Sequence, residues 1–219
     1  MIGNKKHYLI AGATGLIGKQ LVQRLINDES VGKVSLLVRN GYPVEHAKLS
    51  LIQVNWDEMT ESVLPQNVDA VFCCLGTTMK KAGSRDAFRK VDYEYVMKLA
   101  VFTQRKKIAQ FHVISANGAN ESSRVFYSKV KGRMELELQK LTGIRSIFIY
   151  RPSMLLGNRE EFRLGETLGK IIMKAVDFMT PARYKAVYDV QVAMVMQQKA
   201  SEAKKGVFFV ENDELHQLT

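Results

Sequence analysis

Tyr127 and Lys131 stand four residues apart, a spacing that brings two side chains to one face of a helix. None of the other tyrosines has a lysine at that distance. A phenol with its ordinary pKa of about 10 exchanges protons poorly at neutral pH, whereas an ammonium beside it favours the phenolate and lowers that value. The pair therefore reads as a proton donor and acceptor with an activating charge. Ser115 lies upstream at the carboxyl end of a predicted strand, where its hydroxyl can hold a carbonyl oxygen as charge develops there. Ser115, Tyr127 and Lys131 are the expected catalytic set for reducing a carbonyl or oxidising an alcohol. The plain alternative is an exposed tyrosine beside solvated lysines, and the setting decides between the two.

That setting begins at Gly12-Ala13-Thr14-Gly15-Leu16-Ile17-Gly18. An apolar run, His7 to Ala11, precedes it, and Ile17, Leu21 and Leu25 follow at helical spacing. Glycines at a strand-to-helix turn allow backbone angles closed to other residues and let a pyrophosphate approach the main chain. The positive end of the next helix then receives the phosphate charge. A dinucleotide is the expected ligand, with a tight packing turn as the bland alternative. Arg39 ends the second predicted strand, where a basic residue accommodates the extra phosphate of NADP and an acidic one would favour NAD. NADP is thus expected over NAD, with Lys19 adding charge nearby.

The elements that must position these residues alternate along the chain. Strands are predicted at residues 33–39, 51–55, 70–75, 111–115 and 144–150, with a further one at 207–210. Helices are predicted at about 86–105, with Val91, Tyr95, Leu99 and Phe102 on one face, and at about 123–141, with Val130, Met134, Leu138 and Leu141. Another follows at about 190–203. This order implies an α/β fold, a doubly wound parallel sheet of the Rossmann kind covered on both sides. Residues 1–219 are expected to form a single domain, with 151–186, including a helix near 168–179, as a small C-terminal substrate cap. Met154, Phe162, Met173 and Phe178 suggest an apolar lining there, although such residues more often belong to a core.

The chain of 219 residues is 46% hydrophobic, enough for one sizeable core. No apolar run approaches the ~20 residues that span a bilayer, and the amino-terminal stretch lacks a secretory pattern. A soluble cytoplasmic protein is expected. Cys73 and Cys74 are adjacent on a strand and point to opposite faces, which suits packing in a reducing compartment. No metal site is expected. The net charge of +10 is spread over separate stretches without a nucleic-acid-binding signature, so specific nucleic-acid recognition is not expected.

Several segments together resemble an atypical short-chain dehydrogenase/reductase, specifically the Tat-interactive protein group of NADPH-binding oxidoreductases, with NmrA-like and epimerase relatives. They are Gly12 to Gly18, Phe72 to Thr78, Lys81-Ala82-Gly83, Val91-Asp92, His112 to Ser115, Tyr127 to Gly132 and Arg151 to Gly157. The resemblance implies a cofactor lying across Gly12, Thr14, Gly15, Leu16, Ile17, Gly18, Arg39, Leu75, Gly76, Thr77, Tyr127, Lys131, Arg151, Pro152, Ser153 and Met154. Lys131 would also reach the ribose. Asp57 would either approach the adenine or cap the next helix. Cys74-Leu75-Gly76-Thr77 replaces the Asn-Ala-Gly of ordinary short-chain dehydrogenases, so their proton relay does not transfer. Two functions follow: an NADPH-dependent oxidoreductase acting on a small carbonyl or alcohol with Tyr127 as acid and base, or an NADP(H)-sensing module with little turnover. The expected partner is a small-molecule substrate, with no membrane, and a protein partner or homodimer fits either function.

Overall fold

A computed structural model describes residues 5–157 and 181–217. Seven strands form one parallel sheet: β1 (Lys6–Ala11), β2 (Val31–Val38), β3 (Leu49–Gln53), β4 (Ala70–Cys73), β5 (Gln110–Ile114), β6 (Ser146–Arg151) and β9 (Gly206–Glu211). Their order is β3-β2-β1-β4-β5-β6-β9, while β7 (Leu155–Leu156) and β8 (Val187–Tyr188) pair separately. The chain winds outward in one direction from β1 and returns on the other side at β4. The carboxyl ends of β1 and β4 are therefore the switch point, where sheets of this kind receive ligands.

Alternation along each strand divides the core into two layers. Tyr8, Ile10, Leu36 and Phe72 face one layer, with Leu21 and Leu25 of α1 (Leu16–Asn27) and Val192 and Met196 of the helix Asp189–Ala200. Leu9, Ala11, Leu37, Val71 and Val113 face the other, with Leu99 of the carboxyl-side helices and Met134 and Leu138 from the following helix. Each such side chain, when fully buried, contributes about 2 kcal/mol of hydrophobic stabilisation. Cys73 joins the second layer and Cys74 packs on the first, as their adjacency requires. Burial raises both thiol pKa values and keeps them protonated.

Register also builds an aromatic row. Phe72, His112, Phe148 and Phe208 are direct partners across β4, β5, β6 and β9. Their rings lie 4.7, 4.8 and 5.1 Å apart in that order.

The helices that carry the chemistry follow β4 and β5. Thr78 caps α2 (Met79–Ala82) and Ser84 caps α3 (Arg85–Arg89), each accepting a backbone N–H. The single helix expected over 86–105 is α3, a π-helical turn at Lys90–Glu94 and α4 (Tyr95–Arg105). The buried stripe is Asp92, Val96, Leu99, Ala100 and Thr103; of the expected face, Leu99 is fully buried, Tyr95 and Phe102 pack against the core partly buried, and Val91 is half-buried. The next helix, α5 (Phe126–Gln139), buries Val130, Met134 and Leu138 as expected, together with Lys131 and Glu135. Of the segment expected to cap the substrate, 151–157 and 181–186 are described. The helix expected near 168–179, with Phe162, Met173 and Phe178, lies outside the described residues.

Candidate active site

The turn from β1 into α1 is built on close backbone contacts. Gly12 has φ +80°, and a Cβ there would lie 2.5 Å from the Cys74 carbonyl oxygen. A Cβ at Gly18 would meet the backbone of Gly12 and Ala13. These two glycines therefore serve the packing of β1, β4 and α1, the role of an ordinary tight turn. Gly15 is different: it is the N-cap of α1, no side chain caps that end, and the first turn holds no acidic residue. Unpaired N–H groups and a positive helix end without a competing carboxylate suit a phosphate group. Thr14, Leu16 and Ile17 lie in the same turn. This is a fit to a dinucleotide's pyrophosphate made by the chain's own geometry.

At the next strands, Ser115 follows β5 and is 3% exposed, yet its Oγ has no hydrogen-bond partner among the described residues. A buried hydroxyl left so is costly and calls for a ligand atom. Lys131 Nζ donates to the carbonyl oxygen of Ile114 at 3.2 Å, one residue from Ser115, and pairs with Asp92 Oδ1 at 2.8 Å. Both charged side chains are almost completely buried, at 3% and 1% exposure. Asp92 Oδ2 also accepts the Thr77 backbone N–H at 2.9 Å. The carboxylate thus joins the Leu75-Gly76-Thr77 turn after β4 to Lys131 on α5. Burial pulls the Lys131 pKa down, but Asp92 and Tyr127 outweigh it and the net shift is upward.

Tyr127 is 37% exposed and its ring packs on buried Phe88, with centroids 5.5 Å apart. The expectation that Lys131 lowers its pKa is reversed in the net: burial raises it, Lys131 lowers it and Asp92 raises it again, leaving it above the ordinary value. Lys131 still favours the phenolate, but burial, with Asp92 adding to it, outweighs that effect. Sequence reasoning quoted Asp92 only as part of a motif; its signal was a lone carboxylate on the buried stripe of a helix.

Tyr127 lines a cleft of about 320 Å³ with Ala116, Asn117, Gly118, Pro152, Ser153, Met154 and Tyr184. Pro152, Ser153 and Met154 therefore border the same space as the phenol. Arg151 does not offer its side chain. Its guanidinium donates to Glu135 at 3.0 and 2.6 Å and to Glu211 at 2.7 Å, and lies 4.2 Å from the Phe209 ring centroid. Those partners lie far away in sequence, so of the residues expected along the cofactor Arg151 has its side chain engaged in ion pairs, which leaves its backbone toward that space. Arg39 stands exposed just past β2, with its carbonyl accepting from Gln53 Nε2 at 3.1 Å. Asp57 caps no helix, since Thr60 precedes the short turn at Glu61–Val63. Its carboxylate binds Lys90 Nζ at 2.8 Å and the Tyr95 hydroxyl at 2.7 Å, beside Trp56 stacked on Tyr95.

Comparison with known proteins agrees with this architecture. The family model described as NAD(P)H-binding matches residues 12–141. Protein HTATIP2 of Rattus norvegicus is 34% identical over 75% of this chain and 69% of its own. Protein FMP52, mitochondrial, of Eremothecium gossypii is 33% identical over 96% of both chains. Among solved structures, a UDP-N-acetylglucosamine 4-epimerase from Methanobrevibacter ruminantium has a TM-score of 0.72 at 18% identity, covering 95% of this chain and 77% of its own. The dTDP-4-dehydrorhamnose reductase of Bacillus anthracis, in complex with NADP, has a TM-score of 0.67 at 17% identity, covering 95% and 75%. At these identities the two structures establish the doubly wound fold alone.

The FMP52 relatives overturn the expected cytoplasmic location, because their names place them in mitochondria. That expectation rested on a missing secretory pattern, which bears on export and does not separate one internal compartment from another. Membership of the NAD(P)H-binding family, within its HTATIP2 and FMP52 branch of Rossmann-fold oxidoreductase-like proteins, is thereby established for this chain.

Proposed function

We propose that the protein is an NADPH-dependent oxidoreductase that reduces a small carbonyl compound, with Tyr127 as the proton donor. The observation that carries this reading is the buried Ser115 Oγ, without a hydrogen-bond partner among the described residues, one residue before Ala116 of the cleft that Tyr127 lines. NADPH, when bound, supplies hydride to the carbonyl carbon. Gly15 and the uncapped end of α1 would hold its pyrophosphate, and Arg39 its additional phosphate. Leu75, Gly76 and Thr77 would flank it from the turn anchored by Asp92.

The chain's own groups do the rest. The Ser115 hydroxyl donates to the carbonyl oxygen, satisfying its own unmet bond and strengthening the contact as negative charge grows. Tyr127 gives its phenolic proton to that oxygen as the alkoxide forms. The phenolate is stabilised by Lys131 and regains a proton from water at its exposed edge. Tyr127 carries its proton at neutral pH as any phenol does, and because its pKa is raised the proton moves only as negative charge grows on the bound oxygen.

The test is NADPH consumption against a panel of aldehydes and ketones. Tyr127→Phe keeps the ring and removes the proton, so turnover should fall by roughly 10²- to 10⁴-fold while NADPH affinity stays within a few fold. Equal turnover in the two proteins removes Tyr127 from the reaction. Tight NADPH binding with no turnover of any panel member by the parent would favour the sensing module.

A further inference from the structure

The segment after Pro181 is held in an unusual way. Ala182, Arg183, Tyr184 and Lys185 present four consecutive backbone carbonyls, and each accepts a side-chain donor from a distant part of the chain. Asn212 Nδ2 reaches the carbonyls of Ala182 at 2.8 Å and Lys185 at 2.9 Å. Asn117 Nδ2 reaches that of Arg183 at 2.7 Å, and Ser153 Oγ that of Tyr184 at 3.1 Å. Asn212 is fully buried, and its Oδ1 accepts the Ser153 backbone N–H at 2.7 Å. One amide thus ties the end of β9 to both Ser153 and the 182–185 strap.

The donors Asn117 and Ser153 line the cleft themselves, so the clasp is part of the pocket wall. Two further backbone bonds close the frame: Asn117 N–H to the Pro152 carbonyl at 2.8 Å and Val187 N–H to the Met154 carbonyl at 2.9 Å. What the clasp presents is Tyr184, 60% exposed, in one lining with Met154, 57% exposed, Pro152 and Tyr127. A segment with only one 3-10 turn, Ala182–Tyr184, would without these bonds have to be ordered when a ligand binds. Fixing its backbone beforehand lowers that cost and turns a large exposed ring into a preformed binding wall. A volume of about 320 Å³ accommodates a single ring with its carbonyl.

We infer that Tyr184, clasped by Asn117, Ser153 and Asn212, is the specificity wall of the substrate cleft, and that the cleft selects a carbonyl compound bearing a planar apolar group over one bearing a small alkyl group. The inference names the substrate class for the proposed reduction and rests on that reading for the chemistry, while the wall itself is a matter of binding.

The experiment measures binding of benzyl alcohol and of ethanol to the NADP-saturated protein by ligand-observed NMR, alongside turnover of benzaldehyde and acetaldehyde. Benzyl alcohol should bind about tenfold more tightly in the parent and within about twofold in Tyr184→Ala, with the preference kept in Tyr184→Phe. Asn212→Ala removes three bonds at once, so Ser153→Ala, which deletes one, serves as the gentler test of the clasp and should narrow the preference by about threefold in a folded protein. A preference unchanged in Tyr184→Ala, absent from the parent, or unchanged in folded Ser153→Ala overturns the inference. Tyr127→Phe separates the two proposals: it should keep the binding preference and lose turnover. A parent that binds with the preference but turns over neither aldehyde sinks the reduction and leaves the wall standing.

Discussion

Tyr127 and Tyr150 are both phenols raised in pKa first by burial, yet they belong to opposite kinds of polar cluster. Tyr150 is fully buried and donates to His112 Nδ1 at 2.9 Å; His112 Nε2 donates to Gln110 Oε1 at 3.1 Å; Gln110 Nε2 donates to the Glu202 carbonyl at 3.0 Å. Each group in that line has a partner, and the line ends on backbone. Tyr127 is 37% exposed on the cleft, and Ser115, one residue before the cleft-lining Ala116, has an oxygen with no partner among the described residues. The difference separates polar groups that hold a core together from polar groups that wait for a ligand. Burial and perturbed titration are common to both and do not distinguish them; satisfaction of hydrogen bonds does.

The sharpest way to break the comparison is to titrate the satisfied cluster. Burial pushes the His112 pKa from 6.5 down to about 3, so the folded protein keeps the ring neutral where the unfolded chain takes up a proton. The sign follows: stability from this group is complete above pH 6.5 and is lost as pH falls toward about 3. The full loss is on the order of 5 kcal/mol, one unit being worth about 1.4. Urea unfolding of the parent and His112→Gln from about pH 7 to about pH 4 should show their stability difference shrinking by about 3 kcal/mol. A difference independent of pH means that His112 is not held neutral in the core.

The next effect concerns the buried ion pair that joins α5 to the turn after β4. Asp92 and Lys131 are buried together, and breaking such a pair costs about 3–5 kcal/mol because one charge is left without its partner. Asp92→Asn keeps an oxygen for the Thr77 N–H and removes the countercharge alone. Adding Lys131→Met should restore most of the loss, since a neutral pair of similar volume avoids the desolvation penalty. A single-variant cost below about 1 kcal/mol would place the pair in solvent.

The limits of sequence reading follow the same line between near and distant partners. Strand and helix periods are local, so the sheet, its two-sided cover and the edges at Gly12, Ser115 and Tyr127 were legible, with strand ends off by a residue or two. The stripe over 86–105 was read on the flank of the buried face: Leu99 belongs to both, while Tyr95 and Phe102 pack against the core only partly buried. Asp92 was missed because a carboxylate does not count toward an apolar stripe. The partners of Arg151, the row of rings around His112 and the clasp on 182–185 all depend on register between strands far apart in sequence, which no local pattern encodes. That glycine is required at Gly12 and Gly18 by the backbone of Cys74 and of Gly12 and Ala13 is a packing demand that no local pattern states.

The smallest stability effect is also the most discriminating. In a satisfied cluster, truncating one member strands another, and stability falls. Ser115 Oγ has no partner among the described residues to strand, so Ser115→Ala should leave stability unchanged or raise it by up to about 1 kcal/mol, because a desolvated hydroxyl disappears from the interior. Turnover should nonetheless fall by roughly 10²-fold, as one donor to the developing oxyanion is lost. Stability and activity then move in opposite directions from a single oxygen, a pattern expected where binding chemistry is held at the expense of fold stability. If Ser115→Ala instead destabilises by 1–3 kcal/mol, the magnitude for a broken buried hydrogen bond, the hydroxyl has a protein partner and the two clusters are of one kind.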